Sequence, residues 1–253
     1  MNNMTKKWFL SMLLCIFGAA VGVQAQIMKA ADLEKYAKEK YGDKWTEAAA
    51  NLAKGLVFDK NQSLTYQQVI EAPGKTKQQL YVMLNYWATA TFKDKQAISL
   101  NDKEAGCIII SSSLDAIADH TGTIYRYVVN ITPIIRLDIK DGKVRVTYTV
   151  QNYDILKVED AGWLGALADS DNNRQKNQNI YSDGKRMKND QTDRRLYDEQ
   201  WEISKRYPFV EKDAQKRTCS KALVMTHAYS NAIMDKVEEA VKNGIVGNED
   251  DDW

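Results

Sequence analysis

Apolar residues recur along this chain with two different periods, and each change of period marks an element. In "LTYQQVIEA" they alternate. Leu64, Tyr66, Ile70 and Ala72 share one face, the signature of a half-buried strand. Beyond "PGKT" the spacing lengthens to three and four, and Leu80, Met83, Leu84, Trp87 and Thr91 form one face of a helix flanked by Tyr81 and Phe92. Thr76 followed by Gln79 is a capping-box pattern that opens this helix. The aromatic face is therefore expected to pack on a sheet, with Trp87 as a core anchor rather than a ligand contact. "AISLNDKEAGCIIISSSL" reads as two short strands about a polar turn. Period two then returns: Tyr125, Tyr127, Val129, Ile131, Ile135, Leu137 and Ile139 alternate with Arg126, Asn130, Thr132, Arg136 and Asp138. Asp141-Gly142 signals a two-residue type I′ turn. Closing a hairpin there pairs Ile139 with Val144, Leu137 with Val146 and Ile135 with Tyr148. It also sets Asp138 opposite Arg145 on the other face.

The flanking segments are helical or polar. Residues 29–55 predict two helices broken near Gly42, with Asp43 as N-cap of the second and Gly55 as its stop. Leu33, Tyr36, Ala37 and Tyr41 form one apolar stripe, and Trp45, Ala48, Ala49 and Leu52 another. From Lys157 to Pro208 the chain turns polar and reads as a long, partly disordered excursion. A last helix over about 213–243 carries Ala222, Met225, Tyr229, Ile233, Val237 and Ala240 on its inward face, with Gly244 after it. At the other end, Lys6 and Lys7, an apolar run from Trp8 to Val21 and the small-residue pattern Val23-Gln24-Ala25 predict a signal peptide cut before Gln26. The run is shorter than the ~20 residues of a spanning helix. Cys15 follows Leu14 rather than a small residue and reads as part of the discarded segment, not a lipid anchor. The expected division is a signal peptide over 1–25, a helical segment over 26–60, an α+β core over 61–156, the polar excursion over 157–208, a completing helix over 209–245 and an acidic tail over 246–253.

Processing removes two lysines and no acid from the 35 basic and 34 acidic side chains, leaving a formal charge of −1. Nothing in that balance draws the chain to nucleic acid or an anionic membrane, and no transmembrane segment is expected after cleavage. The expected location is the periplasm or the medium. Cys107 and Cys219 remain, and alternation along the strand points Cys107 away from the helix face on which Cys219 rides, so the two are expected to be free thiols.

The set formed by Lys77, Leu80, Tyr81 and Trp87 in the helix, Asp102 with Gly106 in the turn, and "IKDGKVR" in the hairpin resembles a family of exported bacterial domains of unknown function with a TBP-like fold. The resemblance spans about Leu64 to Tyr153. It implies a β-α-β-β-β-β-α antiparallel sheet with both helices on one face. It implies no activity, no catalytic residue and no DNA binding.

Candidate chemistry is sparse. His120 lies in "ADHTGT", a predicted loop, near Ser111 to Ser113 and Asp115, but no strained G-x-S-x-G elbow accompanies them. His227 and Cys219 are eight residues apart on one helix, about 12 Å along its axis, too far for a dyad. "DSDNN" at Asp169–Asn173 imitates an EF-hand start, yet Arg174 stands where glycine belongs and Ile180 where the bidentate glutamate belongs. Adjacent Glu159 and Asp160 read as hydrated charge. No catalytic residue, cofactor or metal site is therefore assigned. The remaining candidate is the sheet face opposite the helices, carrying Arg136, Asp138, Arg145, Thr147, Thr149 and Gln151, with Thr132 and Asn130 further along, which reads as an ordinary solvated face before it reads as a recognition surface. Its mixed charge suits a protein or polar glycan partner in the cell envelope better than a polyanion. The leading reading is a non-enzymatic binding or structural module. An enzyme with a site assembled from scattered residues, and an inhibitor or accessory subunit of another exported protein, are the alternatives. A concave pocket gathering His120 or several carboxylates would favour the enzyme.

Overall fold

The computed structural model describes residues 28–92, 96–121, 125–160, 180–182, 185–187, 194–206 and 215–244. The expected signal peptide with Cys15, Asp169–Asn173 and the acidic tail lie outside the described residues. The helices are α1 (Ala30–Tyr41), α2 (Trp45–Ala53), α3 (Lys77–Thr91) and α4 (Gln215–Asn243), with a 3-10 turn at Ile203–Arg206. The strands are β1 (Leu64–Glu71), β2 (Ile98–Asp102), β3 (Cys107–Ser111), β4 (Leu114–Thr121), β5 (Tyr125–Ile131), β6 (Ile134–Lys140), β7 (Lys143–Val150), β8 (Asn152–Asp160), β9 (Ile180–Ser182), β10 (Lys185–Met187) and β11 (Arg194–Glu202).

One sheet has the order β1-β7-β6-β3-β2, antiparallel throughout. With α3 after β1 and α4 at the end, it is the expected β-α-β-β-β-β-α unit. The hairpin register is also as expected, with Ile139 opposite Val144, Leu137 opposite Val146, Ile135 opposite Tyr148 and Asp138 opposite Arg145. All six apolar members are buried. The turn is different. Gly142 has φ +72°, but Asp141 is not in the left-handed region that a type I′ turn requires. The Asp141 side chain instead reaches out of the hairpin, where its Oδ1 accepts the Lys77 N–H at 2.6 Å, while Gly142 exchanges backbone bonds with Ala72 and Lys75. The turn thus docks on the start of α3.

A second sheet, β11-β8-β5-β4, is not anticipated by the alternation. Its inner order β8-β5-β4 repeats β7-β6-β3, because β3 runs into β4 across Ser112-Ser113, β5 into β6 across Thr132-Pro133, and β7 into β8 across Gln151. Three strands therefore pass through a shared crease. The 125–139 run is two strands rather than one. The alternation hides this because the two-residue link keeps odd positions inward on both sides, Tyr127, Val129 and Ile131 before it and Ile135, Leu137 and Ile139 after. Proline at 133 offers no N–H to a ladder. Gln151 is a single link and flips the parity, from Val146, Tyr148 and Val150 to Tyr153 and Ile155. A bulge in β4, with Ala116 at φ +57° and a register shift between Leu114 and Ala118, completes the bend.

The polar excursion is corrected at both ends. Residues 157–160 finish β8, and Arg194–Glu202 return as β11 to pair with it, Trp201 opposite Tyr153. β11 is an edge strand, paired on one side, and β9 with β10 forms a short hairpin between.

The α1 stripe buries Leu33 and Ala37, and α2 buries Trp45, Ala48 and Ala49. Gly42, at φ +88°, breaks them apart. Lys44, not Asp43, holds the N-cap position of α2, and no side chain caps it. The capping box of α3 is present, Thr76 with Gln79. Its buried face is Leu80, Tyr81, Leu84 and Ala88, rotated from the expected stripe. Trp87 is half-buried at the margin, edge-on to Phe92 at 5.8 Å, so it is not the central anchor. α4 buries all six expected residues. It spans the crease: Thr218 donates to the Asp119 carbonyl on β4 at 3.3 Å, and near its other end Glu238 accepts from Gln68 on β1 at 3.2 Å. No helix among the described residues is long and apolar enough to cross a membrane.

Candidate binding face

Helices cover one side of the five-stranded sheet and leave the other open. On the open side the register lays the residues in rows. Val69, Arg145, Asp138, Cys107 and Asp102 follow one another across β1, β7, β6, β3 and β2. The next row is Gln67, Thr147, Arg136, Ile109 and Leu100. The first row is held by Asp138. Arg136 Nε and Nη2 reach its Oδ1 at 2.8 Å, and Arg145 Nη2 and Nε reach Oδ2 at 2.9 and 3.2 Å. Partial burial alone would raise the Asp138 carboxyl, but hydrogen bonds from Arg145 and Arg136 outweigh it and hold the pKa below the ordinary range. Both guanidinium groups stay half-exposed, 52% and 50%, while Asp138 is 18% exposed. Thr147 accepts from Gln67 at 3.3 Å, and Thr149 sits between Thr65 and Ile134. Val69, Leu100 and Ile134 are exposed among these polar groups.

The structure thus gathers Arg136, Asp138, Arg145, Thr147 and Thr149 on one surface. It places Gln151 at the crease instead, where its carbonyl accepts the Ile203 N–H. Asn130 and Thr132 also serve the crease. Asn130 Oδ1 accepts the N–H of the bulged Ala116 at 2.7 Å, and Thr132 donates to Asp154, whose other oxygen accepts from Gln200. Val69, Lys140 and Lys143 also belong to this end of the face, although none is among the sequence candidates. The signal was present in the hairpin register, which puts Lys140 opposite Lys143, a like-charge pair directly across a ladder. Cys107 lies on this face and Cys219 on the buried side of α4. Both are buried and neither is in a disulfide, and burial first of all pushes the Cys107 thiol up.

A second concavity of about 560 Å³ lies between α1, α2, β4 and α4, lined by Glu34, Lys38, Trp45, Asp119, His120 and Lys221 among others. His120 is on strand β4, not in a loop, and stacks on Tyr127 with centroids 5.0 Å apart. Glu34 binds Lys38 at 2.6 Å and Lys221 at 2.8 Å. Burial opposes its ionisation, but the two ammonium groups prevail and hold its pKa below the usual value. Lys221 also lies 3.9 Å from Asp119 and over the Trp45 ring. The hydroxyls that line the cleft are those of Thr121 and Thr218, the latter already committed to the Asp119 carbonyl. His227 sits elsewhere, between the rings of Tyr41 and Tyr66 at 5.3 and 5.0 Å. Among the described residues no three His, Cys, Asp or Glu side chains are grouped to hold a metal ion.

Residues 66–154 match the model of a family described as a domain of unknown function (DUF4468) with TBP-like fold. That segment runs from β1 into β8 and takes in nearly all of the five-stranded sheet. The architecture is α+β and TBP-like. Among solved structures, a TBP-like protein from Parabacteroides distasonis is 14% identical, with a TM-score of 0.44, over 74% of this chain and 97% of its own. A DUF4468 family protein from Bacteroides ovatus is 12% identical, with a TM-score of 0.42, over 74% of this chain and 90% of its own. None of the curated proteins matches the chain.

Proposed function

We propose that this protein is an exported, non-enzymatic binding module whose open sheet face recognises a protein partner in the cell envelope. The supporting observation is the Arg136–Asp138–Arg145 constellation. It fixes two half-exposed guanidinium groups in a helix-free surface that also exposes Val69, Leu100 and Ile134. Arginine is enriched at protein interfaces, and the exposed apolar side chains beside it supply surface to bury. The reading of the N-terminus as a signal peptide puts such a partner outside the cytoplasm. A glycan partner is the alternative occupant.

The test is capture of a stoichiometric partner from the envelope fraction, with intact mass reading whether the bait begins at Gln26. Joint replacement of Arg136, Arg145 and Thr147 by alanine is expected to abolish capture. The fold should persist, because exposed ion pairs contribute only ~0–1 kcal/mol each. Undiminished capture by a folded triple variant would put the recognition surface elsewhere.

The cleft supports a second reading, an enzyme, because it gathers His120 with several carboxylates. Its chemistry tells against that reading. Glu34 is occupied by two ammonium groups, and among the described residues neither serine nor cysteine lines the cleft. Turnover of any ester, amide or glycoside that His120→Ala eliminates would establish the second reading over the first.

A further inference from the structure

We propose that the hairpin end of the open face receives an acidic, extended peptide segment of the partner, its carboxylates seated among Lys140, Lys143 and Arg145. This rests on the reading of the open face as a recognition surface and names the partner's chemistry. Lys140, Lys143 and Arg145 rim a basin of about 190 Å³ together with Val69 and Asp138. Val69 is 51% exposed and supplies an apolar wall.

Arg145 is held by Asp138, but the two lysines of this basin lack such compensation. Lys140 and Lys143 face each other across the ladder, which is unfavourable for two like charges. Neither lysine forms an ion pair among the described residues. Two of the three nearby acids are committed elsewhere. Asp138 already holds two guanidinium groups. Asp141 is turned to the Lys77 N–H at the start of α3. Glu71 is opposite Lys143 on the exposed edge strand β1, with no ion pair between them. A local excess of positive charge is thereby left facing out of a shallow depression, where a carboxylate brought by another chain competes with Glu71 for Lys143 alone.

Spacing favours an extended acidic segment over a single anion. Lys143 and Arg145 are two residues apart on one strand, about 6.5–7 Å, which is the repeat between alternate side chains of another extended chain. Lys140 lies across the ladder, about 5 Å from Lys143. Arg136 continues the cationic track one row further on.

The experiment titrates the full chain with an acetylated and amidated peptide, Ala-Glu-Asp-Asp-Glu-Ala, followed by backbone amide resonances. The neutral counterpart with Gln and Asn serves as control. The acidic peptide is expected to shift the amides of Val69, Lys140, Lys143 and Arg145 saturably. Its affinity should fall several-fold between about 50 and 300 mM salt, as screened surface charge requires. The double change Lys140→Glu with Lys143→Glu should weaken it by about tenfold or more while leaving the melting temperature little changed, both side chains being exposed. Equal shifts with the neutral peptide, no shifts, or undiminished affinity of the charge-reversed protein would overturn the proposal. Partner capture separates the two readings. If the Arg136, Arg145 and Thr147 variant loses the partner and the charge-reversed one keeps it, the face recognises something other than an acidic segment. If both keep it, the face is not the recognition surface.

Discussion

At the scale of single residues, Gly106 carries a constraint that its turn sequence only hints at. Its φ is +69°, and a Cβ there would lie 2.7 Å from the Ile139 carbonyl and closer still to the Lys77 side chain. Gly74 shares the left-handed conformation, at φ +83°, but a Cβ would meet nothing within 4 Å. Gly74→Ala is therefore expected to cost only the conformational penalty, roughly 1–2 kcal/mol. Gly106→Ala should lose a further 1–3 kcal/mol or so, the range for overpacking. Equal denaturation midpoints for the two variants would show that the Ile139 contact relaxes freely. His227 offers a pH test. Its imidazole is partly buried, Nδ1 has no hydrogen-bond partner among the described residues, and the facing groups there are Tyr41, Tyr66 and the Lys40 ammonium. Burial, aided by Lys40, lowers its pKa below the ordinary 6.5. The unfolded state then takes up the proton first. Stability is full above about pH 6.5 and is lost as pH falls through the folded-state value. Urea midpoints measured from pH 7.5 to 5 should drop more in the natural protein than in His227→Phe. Parallel profiles would count against a buried neutral imidazole.

At the scale of elements, α3 shows how a correct period can still misplace a side chain. The spacing of Leu80, Leu84 and Trp87 is helical, yet the sheet lies under Leu80, Tyr81, Leu84 and Ala88. Leu84→Ala is expected to cost ~2–5 kcal/mol, as for a fully buried leucine. Trp87→Ala should lose roughly half of the ~3–5 kcal/mol typical of a buried aromatic, because its ring keeps solvent on one side. Chemical denaturation would reverse this view if Trp87→Ala were the more damaging change. The β6–β7 hairpin was legible because alternation and turn residues fixed the same register independently. The five strong candidates on the open face come from that single hairpin, so they were legible with it. The crease was not, since a two-residue link at Thr132-Pro133 leaves the alternation unbroken. β11 was not, since an edge strand paired on one side tolerates the polar sequence "RRLYDEQWE". The cleft draws Glu34, His120 and Lys221 from distant parts of the chain, and periodicity carries no information about such meetings.

At the scale of the whole molecule, α4 joins what the crease divides. It touches β4 through Thr218 and β1 through Glu238, twenty residues apart and about 30 Å along the axis. Its inward residues, from Cys219 to Val241, are buried against both sheets and the other helices. Neither sheet keeps its cover without α4, so the two are expected to unfold together. Hydrogen exchange should find the amides of α4 near Met225–Ile233 among the slowest, opening only with global unfolding. Protection there that falls well below that of β6 and β7 would mean the second sheet opens separately.

The crease has a mechanical consequence. Three strands folded across one line, with a rod laid over it, make a creased plate with a stay, which resists bending better than a flat sheet of the same strands. The open face belongs to one leaf of this plate, and the cleft beside Asp119 and His120 is built against the other. Their relative orientation is therefore fixed by the frame. A partner that gripped the first leaf would also aim the second, and anything bound in the cleft would be presented to that partner at one constant angle.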